Sequence, residues 1–142
     1  MQQTYFSQTL DDLPLIASQI LHESTASKIF ALTGQLGAGK TTLTKSLCQY
    51  FGYHGEVTSP TFSLINEYPT SDHGLIYHMD LYRIKDTDEA IDIGIEEYLF
   101  SGRYCFIEWP DIIYPLMSEP YYAINIGLID HHQRKIEVQL SV

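Results

Sequence analysis

The chain is poor in cysteine and in positive charge: it has only Cys48 and Cys105, and eight basic residues against eighteen acidic ones. Each scarcity excludes something. Two thiols with no C-x-x-C spacing make neither a disulfide framework nor a thiolate metal site, and are expected as small buried apolar groups. A formal charge of −10 with no basic stripe argues against binding nucleic acid alone, which needs Lys and Arg to neutralise phosphates. Any connection to RNA is expected to run through a partner, and the acidity serves either solubility or a basic partner face. No apolar run approaches the ~20 residues that span a bilayer. The start, Met1-Gln2-Gln3-Thr4-Tyr5, lacks the basic segment and apolar block of a signal peptide. The cytoplasm is therefore the expected location.

What is present is an ordinary globular composition, 44% hydrophobic and 18% charged over 142 residues. That is enough for one domain, residues 1–142, with a core of its own. Residues 11–23 carry Leu13, Ile16, Ala17, Ile20 and Leu21 at helical spacing. Pro14 fits only a first turn, so Asp11 or Asp12 is the expected cap and Thr9 lies outside, in an approach loop. Residues 28–33 (KIFALT) suit a buried strand, and residues 40–51 form a helix with Leu43, Leu47 and Tyr50 on one face, ended by Gly52. Residues 61–68 and 75–82 read as a hairpin across the turn-rich 69–74. A helix is expected over 87–100, interrupted near Gly94. Strands follow at 104–109, 121–128 and 134–142, the last two joined by Asp130-His131-His132-Gln133. The sum is an α/β domain whose mixed sheet is parallel at its centre and antiparallel at its edges.

Between the first strand and the second helix lies Gly34-Gln35-Leu36-Gly37-Ala38-Gly39-Lys40-Thr41, a match to G-x-x-x-x-G-K-[ST] in the strand–loop–helix context that a P-loop requires. Gly34, Gly37 and Gly39 permit backbone conformations that turn successive N–H groups toward phosphate oxygens. The helix start adds its unpaired donors and positive dipole end. Lys40 supplies a point charge for the β- and γ-phosphates, and the Thr41 hydroxyl is placed to ligate Mg2+. Two acids compete for the second half of such a site. Glu108 ends the apolar strand Cys105-Phe106-Ile107, and Asp80 ends Leu75-Ile76-Tyr77-His78-Met79. Strand ends beside the P-loop strand put a carboxylate near the metal, although each acid reads equally as a solvated strand terminus. No Asn-Lys-x-Asp guanine-reading motif occurs, which disfavours a GTPase.

With residues 34–42, Ser59-Pro60-Thr61-Phe62, His78-Met79-Asp80-Leu81-Tyr82-Arg83 and Ile107-Glu108-Trp109 in this order, the chain resembles the bacterial TsaE (YjeE) family over nearly its whole length. The resemblance implies a P-loop NTPase-like three-layer α/β domain, a cytoplasmic protein that binds and hydrolyses ATP with Mg2+. Members act with TsaD and TsaB in tRNA threonylcarbamoyladenosine biosynthesis, transferring threonylcarbamoyl to the adenosine beside the anticodon. By the match, Gly34, Gln35, Leu36, Gly37, Ala38, Gly39, Lys40, Thr41 and Thr42 would hold the phosphates, and Glu108 would be the Walker B acid. Asp80 would lie near magnesium and the attacking water, and Ser59 and Thr61 on a switch-like segment sensing the γ-phosphate. Thr9 and Arg134 resemble positions flanking the adenine. The metal set would be Thr41, Glu108 and Asp80, and the catalytic set Asp80, Glu108, Lys40 and Thr61. Gln35 departs from the family's usual acid at that position.

Other residues divide between chemistry and packing. Trp109 suits packing first and nucleotide sensing or a partner face second. His78 suits a hydrogen-bonded structural role better than that of a general base. His131 and His132 read as solvated loop residues, without ligands at metal spacing. Arg83 fits either charge stabilisation in phosphoryl transfer or pairing with Asp86 or Glu89. Two further functions compete with the ATPase. One is a small-molecule kinase, for which Arg83, Arg103 and Arg134 are few arginines; the other is a module that senses ATP without splitting it.

Overall fold

The β-branched and aromatic runs of the sequence pair into one seven-stranded sheet of order β1-β7-β6-β2-β5-β4-β3. A computed structural model describes residues 2–60 and 62–141. The strands are β1 (Gln2–Ser7), β2 (Ile29–Gly34), β3 (Ile65–Pro69), β4 (Leu75–Asp80), β5 (Cys105–Glu108), β6 (Tyr121–Leu128) and β7 (Arg134–Ser141). β2 lies parallel to both β5 and β6, and β4 parallel to β5. The β3–β4, β6–β7 and β1–β7 pairs are antiparallel. The expected parallel centre and antiparallel edges are thus the observed arrangement.

Both faces of the centre are covered, which explains why β2 reads as a continuous apolar run rather than an alternation. Helices α1 (Leu13–Glu23) and α2 (Lys40–Tyr50) cover one face, packing Ile16, Ile20, Leu43 and Leu47 with Phe30, Leu32, Phe106 and Ile124. On the other face, α3 (Thr87–Asp92) and α4 (Ile95–Leu99) pack Ala90, Ile95 and Leu99 with Ile29, Met79, Cys105 and Ile107. This period-2 division decides where the acids go. Ile76 and Phe106 belong to the α2 face while Tyr77, Met79 and Ile107 belong to the opposite one. His78, Asp80 and Glu108 therefore share the α2 face, and Asp80 and Glu108 are direct neighbours in the β4–β5 register.

Several local readings are corrected. A short 3-10 turn, Leu10–Asp12, precedes α1; Asp12 holds the N-cap position, as expected, but its carboxylate makes no capping bond to the helix. It turns back to accept the amides of Gln8 at 2.7 Å and Thr9 at 3.2 Å. The strand expected over 61–68 starts only at Ile65: the Leu64 amide donates back to the Pro60 carbonyl at 2.7 Å, with Leu64 at a φ of 69°. β4 ends at Asp80 rather than 82. β1, an edge strand of polar composition, and the 3-10 stretch Asp111–Leu116 have no counterpart in the sequence reading. The helix break at Gly94 is real: that residue sits at a φ of 82° between α3 and α4. Among the described residues, no helix is long and apolar enough to cross a membrane.

Candidate functional site

The loop between β2 and α2 gathers the groups that the motif foretells. Gly39 precedes the helix at a φ of 107°, a left-handed conformation that a side chain would strain. Leu43 N donates to Gly39 O at 2.9 Å, so the amides before it open α2 with the unpaired donors of a helix start. Gly34 is needed for space: a Cβ there would lie 2.7 Å from the Ile126 carbonyl oxygen of β6. Lys40 is 5% exposed. Its Nζ donates to the carbonyls of Gly34 at 2.8 Å and Gln35 at 3.2 Å, and stands 4.2 Å from the centre of the Trp109 ring. Burial pulls the Lys40 ammonium below the ordinary lysine value, against the raising influence of Glu108 and Asp80.

The two strand-end acids flank the first turn of α2. Glu108, 3% exposed, accepts the Thr41 hydroxyl with both carboxylate oxygens, at 3.1 and 3.0 Å. Its Oε2 also meets His78 Nε2 at 2.5 Å. Asp80 accepts the Ser59 hydroxyl at 2.6 Å and the Tyr82 amide at 3.0 Å. Neither acid is a solvated strand terminus. Leu36, Gly37, Gly39, Lys40, Thr41 and Thr42 face Ser59, Asp80, Tyr82, Arg83, Glu108 and Trp109 across a cleft of about 440 Å³. Such a volume suits the polar end of a small ligand.

The donor chemistry fits magnesium and a polyphosphate. Thr41 spends its only proton on Glu108, which leaves its oxygen lone pairs to face a hard cation. Among the described residues, no group of three or more His, Cys, Asp or Glu side chains forms a metal cage. Magnesium fits that arrangement, because it takes few protein ligands and completes its shell with water and phosphate oxygens. Thr41, Glu108 and Asp80 are the side chains suited to hold it, directly or through water.

On the other side of the loop, a smaller cleft of about 240 Å³ is lined by Ser7, Leu10, Leu13, Thr42, Ile126 and Arg134, among others. Arg134 Nε donates to the Ala38 carbonyl at 2.9 Å, which ties the start of β7 to the loop. Thr42, exposed, faces both clefts. Thr9 itself is exposed and does not line either cleft; its neighbours Ser7 and Leu10 do. Gln35 points outward and contributes its backbone carbonyl. Thr61 lies outside the described residues.

Six other residues are clarified. Trp109, half-buried at a φ of 55°, packs on Tyr82 with ring centres 4.9 Å apart and supports Lys40. Arg83 lies over the Phe62 ring at 4.7 Å instead of pairing with Asp86 or Glu89, since the Asp86 carboxylate caps α3 by accepting the Glu89 amide. His132 is exposed, as read, yet it borders the smaller cleft. His78 is buried between Glu108 and Tyr68, so the structural reading of it is the observed one. Cys48 and Cys105 are free and buried, and burial pushes both thiols up to about 12.

Residues 7–136 match the family described as threonylcarbamoyl adenosine biosynthesis protein TsaE. The tRNA threonylcarbamoyladenosine biosynthesis protein TsaE of Haemophilus influenzae is 40% identical over 118 residues, 83% of this chain and 73% of that protein. The protein of the same name from Bacillus subtilis is 38% identical over 109 residues, 76% of this chain and 66% of that one. Among solved structures, the crystal structure of Bacillus subtilis YdiB superimposes with a TM-score of 0.74 at 28% identity, covering 100% of this chain and 86% of that one. With the glycine-rich loop, the paired strand-end acids and these relatives in agreement, the chain belongs to the TsaE family of tRNA threonylcarbamoyladenosine biosynthesis proteins.

Proposed function

We propose that this protein is a magnesium-dependent P-loop ATPase of the cytoplasm that works with TsaD and TsaB, supporting transfer of threonylcarbamoyl to the adenosine next to the anticodon. The observation that carries the reading is the convergence of Lys40, Thr41, Glu108 and Asp80 on one cleft at the end of the parallel strands. In that arrangement the loop amides and Lys40 bind the triphosphate, and the Thr41 hydroxyl is held by Glu108 with its oxygen toward the metal. Magnesium, when bound, neutralises charge on the β- and γ-phosphate oxygens. Asp80, fixed by Ser59 and the Tyr82 amide, is the carboxylate available to orient a water at the γ-phosphate. The smaller cleft beside Arg134, Leu13 and Ile126 accommodates the adenine.

The net charge of −10 supports contact with tRNA only through the protein partners. The test is ATP turnover with and without a purified TsaD–TsaB pair. Weak turnover alone that rises when the pair is added supports the coupling; robust turnover indifferent to the pair refutes it. A small-molecule kinase is less favoured, because of its three arginines only Arg83 lines the phosphate cleft. The sensing module is separated by Glu108→Gln, which would leave partner assembly and modified tRNA intact only if hydrolysis were dispensable.

A further inference from the structure

A line of hydrogen bonds leads away from the phosphate cleft into the sheet. Glu108 Oε2 meets His78 Nε2 at 2.5 Å, and His78 Nδ1 meets the Tyr68 hydroxyl at 2.9 Å. Tyr68 in turn accepts from Asn66 Nδ2 at 3.2 Å, while the same amide group donates to the Thr58 carbonyl at 3.2 Å. The Thr58 carbonyl can only accept, which fixes which end of the amide donates, and Asn66 Oδ1 then accepts the Ser63 hydroxyl at 3.1 Å. The line therefore runs from Thr41 at the start of α2 to the backbone beside Ser59.

Proton counting gives the line a direction. Tyr68 already receives a hydrogen bond from Asn66, and burial pushes its phenol up, so it keeps its proton. His78 Nδ1 is the acceptor within reach of that proton. Nδ1 then carries a lone pair and Nε2 carries the hydrogen that Glu108 accepts. His78 is 0% exposed, and no buried side-chain nitrogen or oxygen among the described residues lacks a partner. Among the described residues, the other side-chain hydrogen-bond partner of Glu108 is Thr41, the group it has to aim.

We infer that His78 is a positioning residue: oriented by Tyr68, it fixes the Glu108 carboxylate so that Glu108 turns the Thr41 oxygen toward magnesium. This rests on the magnesium–nucleotide reading above. A partner that orients a metal-site group typically accounts for about 10–100-fold in metal affinity or activity. His78 is then required for the magnesium-dependent part of ATP affinity and not for the magnesium-free part.

The test measures ATP affinity by calorimetry, in magnesium and in EDTA, for wild type, His78→Leu, His78→Gln and Tyr68→Phe. It is paired with 15N NMR of the His78 ring in the nucleotide-free protein. The expected wild type binds ATP more tightly with magnesium and shows hydrogen on Nε2. His78→Leu loses about tenfold or more of the magnesium-dependent gain and is unchanged in EDTA. His78→Gln, whose amide nitrogen reaches where Nε2 stood, recovers most of it. Tyr68→Phe shifts the ring toward the other tautomer and weakens binding in magnesium alone. A folded His78→Leu with the wild-type magnesium response, or with equal losses in both buffers, overturns the assignment. If His78→Leu does not fold, Tyr68→Phe decides: an unchanged tautomer and unchanged affinity overturn it. A wild type indifferent to magnesium would instead refute the magnesium reading itself.

Discussion

Replacing Lys40 by methionine removes the ammonium and keeps a stem of similar length against Trp109. The ammonium has two carbonyl acceptors and the face of Trp109. On binding, it exchanges those carbonyls for phosphate oxygens, so hydrogen bonds lost and gained nearly offset and the net gain is Coulombic. Unit charges ~4 Å apart attract by about 4 kcal/mol at the effective dielectric of a protein surface. Reorganising the lysine consumes part of that. The expected loss is about 2–3 kcal/mol, roughly 30–150-fold in the dissociation constant for ATP. Adenosine, which carries no phosphate, should bind Lys40→Met and wild type within about twofold. The Gly34 and Gln35 carbonyls stay reachable by water, so the melting temperature should fall by only about 2–4 °C, the equivalent of about 1 kcal/mol. Isothermal titration of both ligands, with circular dichroism to confirm folding, makes the comparison. An ATP affinity within about threefold of wild type, or an equal loss for adenosine, would refute the role given to Lys40.

Gly34→Ala places a Cβ 2.7 Å from the backbone oxygen of Ile126, and a strand cannot yield as a side chain does. A destabilisation of about 1–3 kcal/mol is expected, read as a fall of several degrees in thermal melts; an unchanged melting temperature would contradict the packing argument. Asp80→Ala should lower ATP turnover by about a hundredfold or more while changing ATP affinity far less, and equal losses in both would remove its catalytic assignment. Because burial raises the Cys48 and Cys105 thiols to about 12, the native state keeps protons that the unfolded state releases from about pH 8.5 upward. The thiol contribution to stability is therefore present below that pH and is lost as pH rises toward 12. Denaturant titrations between pH 8 and 10 should show declining stability that largely disappears in a Cys48→Ala, Cys105→Ala double variant, and native thiols should resist alkylation at pH 8.

Much of this architecture was legible because the signals were local. The loop before α2 announces itself through glycines at three fixed positions, and the sheet centre through short apolar runs that glycine and proline interrupt. The Gly94 break was readable for the same reason. β1 was not readable: Gln2, Gln3 and Thr4 are polar, and it is a strand only because β7 offers an unpaired edge. The late start of β3 depends on a turn whose one sequence cue is Pro60. In the site, the sequence named Glu108 and Asp80 as strand ends but could not choose between metal contact and solvent. That choice depends on pairing β4 beside β5, which makes the two acids register neighbours. The Tyr68–His78–Glu108 line joins residues 10 and 30 positions apart, and no spacing rule reaches across such separations. Thr9 was placed by analogy; the structure leaves it exposed between Ser7 and Leu10, which line the smaller cleft.

The account depends most on a loop whose amides, with Lys40 and Thr41, grip a polyphosphate beside magnesium. Calorimetric titration of the wild-type protein with ATP and magnesium tests this most directly. The predicted result is saturable heat at one site per chain, weakened when EDTA replaces magnesium. Absence of any heat at millimolar ATP, with no rise in melting temperature, would contradict it.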